Sequence, residues 1–94
     1  MVSRIQFREE EMRQGIAELR KGAKIMRGTC EKSKNLAKAL DDGGFQGKAG
    51  ETLSAAFAKT LPASVERLAQ KMEERARVME VELEQLLKAA SQLR

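Results

Sequence analysis

The sequence of 94 residues has no histidine, tryptophan or tyrosine, and only one cysteine, one proline and three phenylalanines. Histidine is the side chain that most often transfers protons near neutral pH, so its absence removes the commonest general base. The single Cys30 excludes an intramolecular disulfide, and we interpret it as a small buried core residue rather than a nucleophile. Because no catalytic or metal-binding constellation is visible, we expect a protein that is not an enzyme and that uses no cofactor or metal.

Long apolar runs are also missing. None approaches the ~20 residues that a membrane-spanning helix needs, so we expect no membrane span. The start, Met1-Val2-Ser3-Arg4-Ile5 followed by charged residues, does not resemble a secretory signal peptide. If the protein leaves the cell, we therefore expect a cytoplasmic stage followed by export along a route that is independent of a signal peptide.

The residues that are present favour long helices. Charged residues make up 34% of the chain and aromatic residues only 3%, a composition typical of coiled coils or helical bundles. Apolar residues recur every three or four positions in both halves, which predicts a seam, meaning a line of residues that faces another helix. The seam that we expect to face a partner helix contains Met12, Ile16, Leu19, Met26, Phe57, Leu61, Val65, Leu68, Met72 and Met79.

A glycine-rich break separates the two halves. The stretch Gly43-Gly44-Phe45-Gln46-Gly47-Lys48-Ala49-Gly50 holds four glycines, and each would cost about 1 kcal/mol inside a helix. The sequence therefore predicts an all-α fold: one antiparallel helical hairpin with a helix over 3–41, a turn over 42–48 and a helix over 49–93. We expect a kink near Pro62, because proline lacks the amide N–H that a helix interior uses. Phe45, Gly47 and Ala49 are the candidate docking residues at the turn.

Charged residues flank both seams. Basic residues lie beside the first seam, and Glu66, Glu73 and Glu80 repeat every seven residues beside the second. Complementary flanks favour helix pairing, within the hairpin or across a dimer. The alternative is that the basic flank binds nucleic acid, which we consider unlikely because no aromatic residues are interleaved with it. The basic residues are Arg13, Arg20, Lys24, Arg27, Lys34 and Lys38.

A hairpin alone leaves apolar residues unpaired. Phe7, Ile25, Leu36 and Val81 lie off the seams, and we expect them to be partly exposed. Gly15, Gly22 and Gly28 are also expected off the seam. A second hairpin would complete a four-helix bundle. An extended rod without a hairpin is the other open architecture.

The arrangement of helix, Phe45-Gln46-Gly47 and helix resembles the Trp-X-Gly (WXG) family of type VII secretion systems, with Phe in place of Trp. The apolar and acidic start from Ile5 to Met12, the segment Gly47-Lys48-Ala49 with Ala56-Phe57, and Leu61-Pro62 are similar to that family as well. The family's C-terminal Tyr-X-X-X-Asp/Glu export signal is absent, since the chain has no tyrosine.

The resemblance implies a helical interaction protein of a type VII (ESX-like) secretion system. It implies either a small secreted substrate whose partner carries the signal, or a dimeric targeting partner, a chaperone, for a larger effector. The implied partners are a second copy or a related helical hairpin, the helical domain of a larger effector, and indirectly the secretion ATPase.

Overall fold

The computed structural model describes residues 4–44 and 47–93, and every element in them is helical. Helix α1 spans Arg4–Ala39 and is followed by a π-helical turn at Leu40–Gly44. Helix α2 spans Lys48–Ala55, a π-helical segment covers Ala56–Thr60, and helix α3 spans Leu61–Gln92. The prediction of an all-α helical hairpin is confirmed, because α1 packs along α3.

The bounds differ from those predicted by a few residues. Helical backbone extends past residue 41 to Gly44, and α2 begins at Lys48. The reversal is thus shorter than the predicted turn at 42–48. The side chain of Asp41 helps to hold it, because its carboxylate accepts a hydrogen bond from Ser54 Oγ at 2.7 Å. The predicted docking residue Phe45 lies outside the described residues.

The hairpin is long and thin. It measures 70 × 21 × 13 Å, with a radius of gyration of 20.6 Å, whereas a compact domain of this length has a radius of gyration of about 12 Å. A single continuous helix of 94 residues would approach 140 Å, so the extended-rod alternative is excluded.

Small residues set the distance between α1 and α3. The buried apolar positions along α1 recur every seven residues, and so do the buried positions along α3. Ser33 is buried as well and lies three residues after Cys30. Ala69 and Ala76 are wholly buried, and alanine side chains let two helices approach closely. Cys30 is also buried here, as predicted, with its Sγ 3.4 Å from the carbonyl oxygen of Pro62. The two buried rows are Ile16, Ala23, Cys30 and Ala37 on α1, and Pro62, Ala69, Ala76 and Leu83 on α3.

Pro62 explains the π-helical segment and one contact between the helices. The amide of Leu61 donates to the carbonyl of Ala56, five residues back. In the same register, the amide of residue 62 would donate to the carbonyl of Phe57, but proline has no N–H. Ser33 Oγ donates to that carbonyl instead, at 2.6 Å. The helical path is therefore continuous through Pro62, with one widened turn where the sequence predicts a kink.

The Gly47 backbone is possible only for glycine. Its φ of 90° and ψ of −173° lie in a region that other residues essentially never occupy. A Cβ added at Gly47 would meet nothing within 4 Å, so the requirement comes from the backbone alone. Gly47 also closes the first turn of α2, since its carbonyl accepts from the Glu51 amide at 3.0 Å.

Gly47→Ala should lower the free energy of unfolding by about 1–3 kcal/mol, the usual cost of a strained backbone conformation. Gly28→Ala is the matched control. Gly28 lies in α1 with open space around it, so the same substitution should stabilise the protein by up to about 1 kcal/mol. Urea unfolding at one fixed protein concentration measures both. Equal effects of the two substitutions on the free energy of unfolding would contradict the backbone conformation assigned to Gly47.

Ser33→Ala should lower the free energy of unfolding by about 1 kcal/mol, because it leaves the partly buried Phe57 carbonyl without this donor. Adding Pro62→Ala restores an amide N–H at residue 62, so the cost of Ser33→Ala should be smaller in that background. A double-mutant cycle by urea unfolding measures the coupling. Additive effects would show that Ser33 does not replace the missing amide.

Candidate functional site

The two edges of the α1–α3 seam differ in chemistry. On each helix, the residue four positions after a buried residue lies on one edge of the seam. The residue three positions after it lies on the other edge. The first edge carries arginines on α1 and glutamates on α3. The second edge carries large apolar residues on both helices, and it faces outward on one side of the hairpin. We call the first the charged edge and the second the apolar face.

The charged edge is a series of ion pairs between the helices. Arg27 binds both Glu66 (3.0 Å) and Glu73 (2.6 Å), and Arg20 binds Glu80. Of the predicted basic flank, Arg20 and Arg27 pair with the predicted acidic flank, and they do so within the hairpin. Arg13 pairs instead with Glu9 of its own helix. Because Arg20 and Arg27 already bind carboxylates, these two members of the basic flank are poorly placed to bind the phosphates of a nucleic acid.

The Arg27 cluster perturbs the ionisation of its members. The hydrogen bond from the Arg27 guanidinium lowers the pKa of Glu73 below its usual value near 4.5, and the positive charges of Arg27, Arg77 and Arg20 act in the same direction. Hydrogen bonds to Glu73 and then Glu66 raise the pKa of Arg27. The pair is therefore fully ionised at neutral pH.

The apolar face contains most of the predicted seam. Met12, Leu19, Met26, Met72 and Met79 are half-buried, as is Val65. Of the predicted set, Ile16 alone is buried between the two helices of the hairpin. Phe57 is half-buried beside the widened turn. These side chains cover the small buried residues from one side and leave their own outer surfaces exposed.

Leu61 and Leu68 lie outside the seam within the hairpin, so their predicted place there needs correction. Both are exposed, and their neighbours Pro62 and Ala69 are buried instead. The buried row of α3 runs through Pro62, Ala69, Ala76 and Leu83, so Leu61 and Leu68 each lie one residue before it. The π-helical segment changes the spacing only for residues that precede α3. The buried positions Ser54 and Pro62 are eight apart, whereas those on α3 are seven apart. Leu61 and Leu68 thus widen the apolar face at the end near the turn.

The prediction that Gly15 and Gly22 lie off the seam is wrong. A Cβ on Gly15 would stand 2.8 Å from Met79 Cε, and one on Gly22 would stand 2.3 Å from Met72 Cε. The two methionine ends therefore fill gaps that the glycines leave on the apolar face. The signal was present in the sequence, since Gly15, Gly22, Met72 and Met79 share the seven-residue spacing.

An apolar groove borders the face at the widened turn. Ala56, Phe57, Thr60, Leu61 and Ser64 line about 320 Å³, with almost entirely apolar walls. Leu53 and Leu68 are exposed one or two turns to either side of it. The groove was not predicted, because it depends on the π-helical segment. Ala49, the candidate at the turn, is exposed in the first turn of α2.

Several exposed apolar residues lie away from this face. Phe7, Ile25 and Val81 are each more than half exposed, as the sequence predicted. Leu36 is 47% exposed, also as predicted, but it shares the seven-residue row of Gly15 and Gly22 and so adjoins the apolar face. Among the described residues, no group of histidine, cysteine, aspartate or glutamate side chains could hold a metal ion. No helix in the described part of the chain is long and apolar enough to cross a membrane.

Comparison of the chain with protein-family models, curated proteins and solved structures gives no match.

Acidification should weaken the charged edge. The pKa of Glu73 is lower in the folded state, so this pair contributes stability above pH 4.5 or so and loses it as pH falls through the folded-state pKa. Glu73→Gln should lower the midpoint of thermal unfolding at pH 7, and its difference from the parent should shrink towards pH 3.

Glu74→Gln is the matched control, because Glu74 is exposed and forms no ion pair with the described residues. It should leave the thermal midpoint nearly unchanged at pH 7. If the midpoints of thermal unfolding of the parent and Glu73→Gln differed by the same amount at every pH, the lowered pKa assigned to Glu73 would be wrong.

Proposed function

We propose that the chain is a non-enzymatic interaction protein whose hairpin pairs with a second hairpin through the apolar face, forming a four-helix bundle. The single observation that carries this proposal is the apolar area that the hairpin leaves uncovered. Among the described residues no large side chain is fully buried, because two helices in a layer 13 Å thick enclose little volume.

The exposed area gives the size of the missing partner surface. The chain exposes 7453 Å², whereas a compact monomer of 10.5 kDa exposes about 5,400 Å². The excess of about 2,000 Å² on one chain would correspond to about 4,000 Å² summed over two partners, which is the size of an obligate interface. The apolar face runs along a hairpin 70 Å long and 21 Å wide, so it has room for such an interface.

Within this proposal, we assign the chain to a type VII secretion system as a WXG-like protein. The support comes from the turn: two antiparallel helices joined at Phe45-Gln46-Gly47, with a backbone at Gly47 that only glycine adopts. Its role is a small exported substrate or a dimeric targeting chaperone for a larger effector. It is cytoplasmic before export, and export depends on the membrane ATPase of the system.

Leu68→Glu should abolish pairing without unfolding the hairpin, because Leu68 is 46% exposed on the apolar face. Val81→Glu is the matched control, since Val81 is 52% exposed on the outer side of α3. Sedimentation of the purified chain, alone and with hairpins encoded beside it, measures pairing. A parent chain that stays monomeric and binds no such hairpin would contradict the proposal.

The secretion assignment has its own test. In the native cell, loss of the secretion ATPase should keep the protein in the cytoplasm, and Phe45→Ala should reduce export more than it reduces helicity. Secretion that persists without the ATPase would remove the assignment and leave the pairing proposal intact.

A further inference from the structure

The four methionines that the structure describes all lie on the apolar face. Met12 and Met26 belong to α1, Met72 and Met79 belong to α3, and each is half-buried. Cys30 lies in the buried row behind this face instead. In an unpaired hairpin the outer surface of the face is open to solvent, so small dissolved oxidants can reach the methionine sulfurs.

Met72 and Met79 each fill a gap between the two helices. The Met79 Cε lies 2.8 Å from the place that a Cβ on Gly15 would take, and the Met72 Cε lies closer still to that of Gly22. The Met72 and Met79 sulfurs lie 3.7 Å and 4.0 Å from the same two places. The ends of both methionines therefore occupy space in which a side chain of α1 would otherwise begin, and they hold α3 against α1.

The two gaps suit a thioether and do not suit a sulfoxide. A sulfoxide oxygen is a polar acceptor, and burying it without a donor is costly. Gly15, Leu19, Gly22 and Met26 lie on this side of α1; they carry no side-chain donor, and their amides bond within the helix. Donors are available only outwards, from water and from the exposed guanidinium of Arg75 on α3. An oxidised methionine end would therefore leave its gap.

We propose that Met72 and Met79 are modification sites, at which oxidation to the sulfoxide loosens the hairpin and reduction restores it. The oxidant is a hydroperoxide. A lone pair of the sulfur attacks the hydroxyl oxygen, the S–O bond forms as the O–O bond breaks, and the hydroxyl proton passes to the leaving oxygen. The sulfur loses two electrons, and the peroxide leaves as water or an alcohol.

The return step needs a methionine sulfoxide reductase. Two thiols of the reductase supply two electrons and two protons, a disulfide forms, and the sulfoxide oxygen leaves as water. The thioether can then re-enter its gap, so the state of the hairpin follows the balance between peroxide and reductase.

This inference goes beyond the proposed function, because both gaps lie within one hairpin. Only its consequence for pairing rests on that function. A second hairpin on the apolar face would cover the four methionines, so the unpaired chain is the form that oxidises. Polar sulfoxides on the face would then weaken pairing, since they disrupt methionine-rich interfaces.

Peroxide treatment followed by thermal unfolding tests the proposal. In a Cys30→Ala background, which removes the thiol, hydrogen peroxide should convert Met72 and Met79 to sulfoxides, located by peptide mass spectrometry. The midpoint of thermal unfolding at high dilution should then fall by roughly 10 °C, the usual scale for losing buried side-chain contacts in a small domain. Treatment with the two classes of methionine sulfoxide reductase, one for each sulfoxide epimer, should restore it.

Leucine variants identify the methionines that matter. Met72→Leu combined with Met79→Leu nearly conserves side-chain volume and removes both sulfurs, so peroxide should leave the thermal midpoint of this variant almost unchanged. Met12→Leu combined with Met26→Leu is the matched control, and its midpoint should fall about as far as that of the parent. Equal falls in the two double variants would overturn the assignment of the sites.

Glycine variants test the role of the gaps. Gly15→Ala combined with Gly22→Ala places methyl groups where the methionine ends lie and so displaces those ends before any oxidation. Peroxide should then lower the thermal midpoint less than in the parent. Gly28→Ala, which faces open space, should leave the effect of peroxide unchanged. An effect of the same size in all three chains would show that the gaps are not involved.

The outcomes separate this inference from the pairing proposal. A chain that pairs with nothing but loses stability on oxidation would support the inference and overturn the pairing function. A chain that pairs, but whose thermal midpoint stays constant although Met72 and Met79 are oxidised, would do the reverse. Absence of sulfoxides at these two residues, or a midpoint that the reductases do not restore, would also overturn the inference.

Discussion

The close approach of α1 and α3 is the constraint on which the rest of the structure depends. Ala23 and Ala37 on one helix, with Ala69 and Ala76 on the other, leave little room for large side chains between the axes, and only towards the open end do Ile16 and Leu83 occupy the buried rows. Large apolar residues are therefore displaced to one edge of the seam, and charged residues occupy the other. The two-sided character of the hairpin, apolar on one side and ion-paired on the other, follows from this small central row.

A single proline changes the register in which the second half of the chain packs against α1. Without an amide at Pro62, the chain widens by one residue at Ala56–Thr60, and Ser33 from α1 supplies the lost hydrogen bond. The extra residue rotates everything before it relative to α3. It keeps Ser54 in the buried row, and it opens a groove on the surface between Phe57 and Ser64. One missing donor thus shapes both the interior contact and the candidate binding surface.

The sequence was sufficient to predict the hairpin, the ion pairs and the burial of Cys30. Each depends on spacing along one helix or on the glycines at the break. It was not sufficient for Leu61 and Leu68, because the small or less apolar neighbours Pro62 and Ala69 occupy the buried row instead of the two leucines. Gly15 and Gly22 were misplaced for a related reason: large apolar residues were taken to define the centre of the seam, whereas small residues occupy it. The role of Phe45 stays a prediction from the sequence.

The thinness of the hairpin has a consequence for its lifetime in the cell. On the proposed function, a fold with so little enclosed volume gains much of its stability from the partner on its apolar face, so mass action links folding to partner supply. Copies without a partner would then unfold more often, and unfolded chains are the substrates of cellular proteases. On the proposed function, the amount of this protein would then follow the amount of its partner, without any separate regulatory element in the chain.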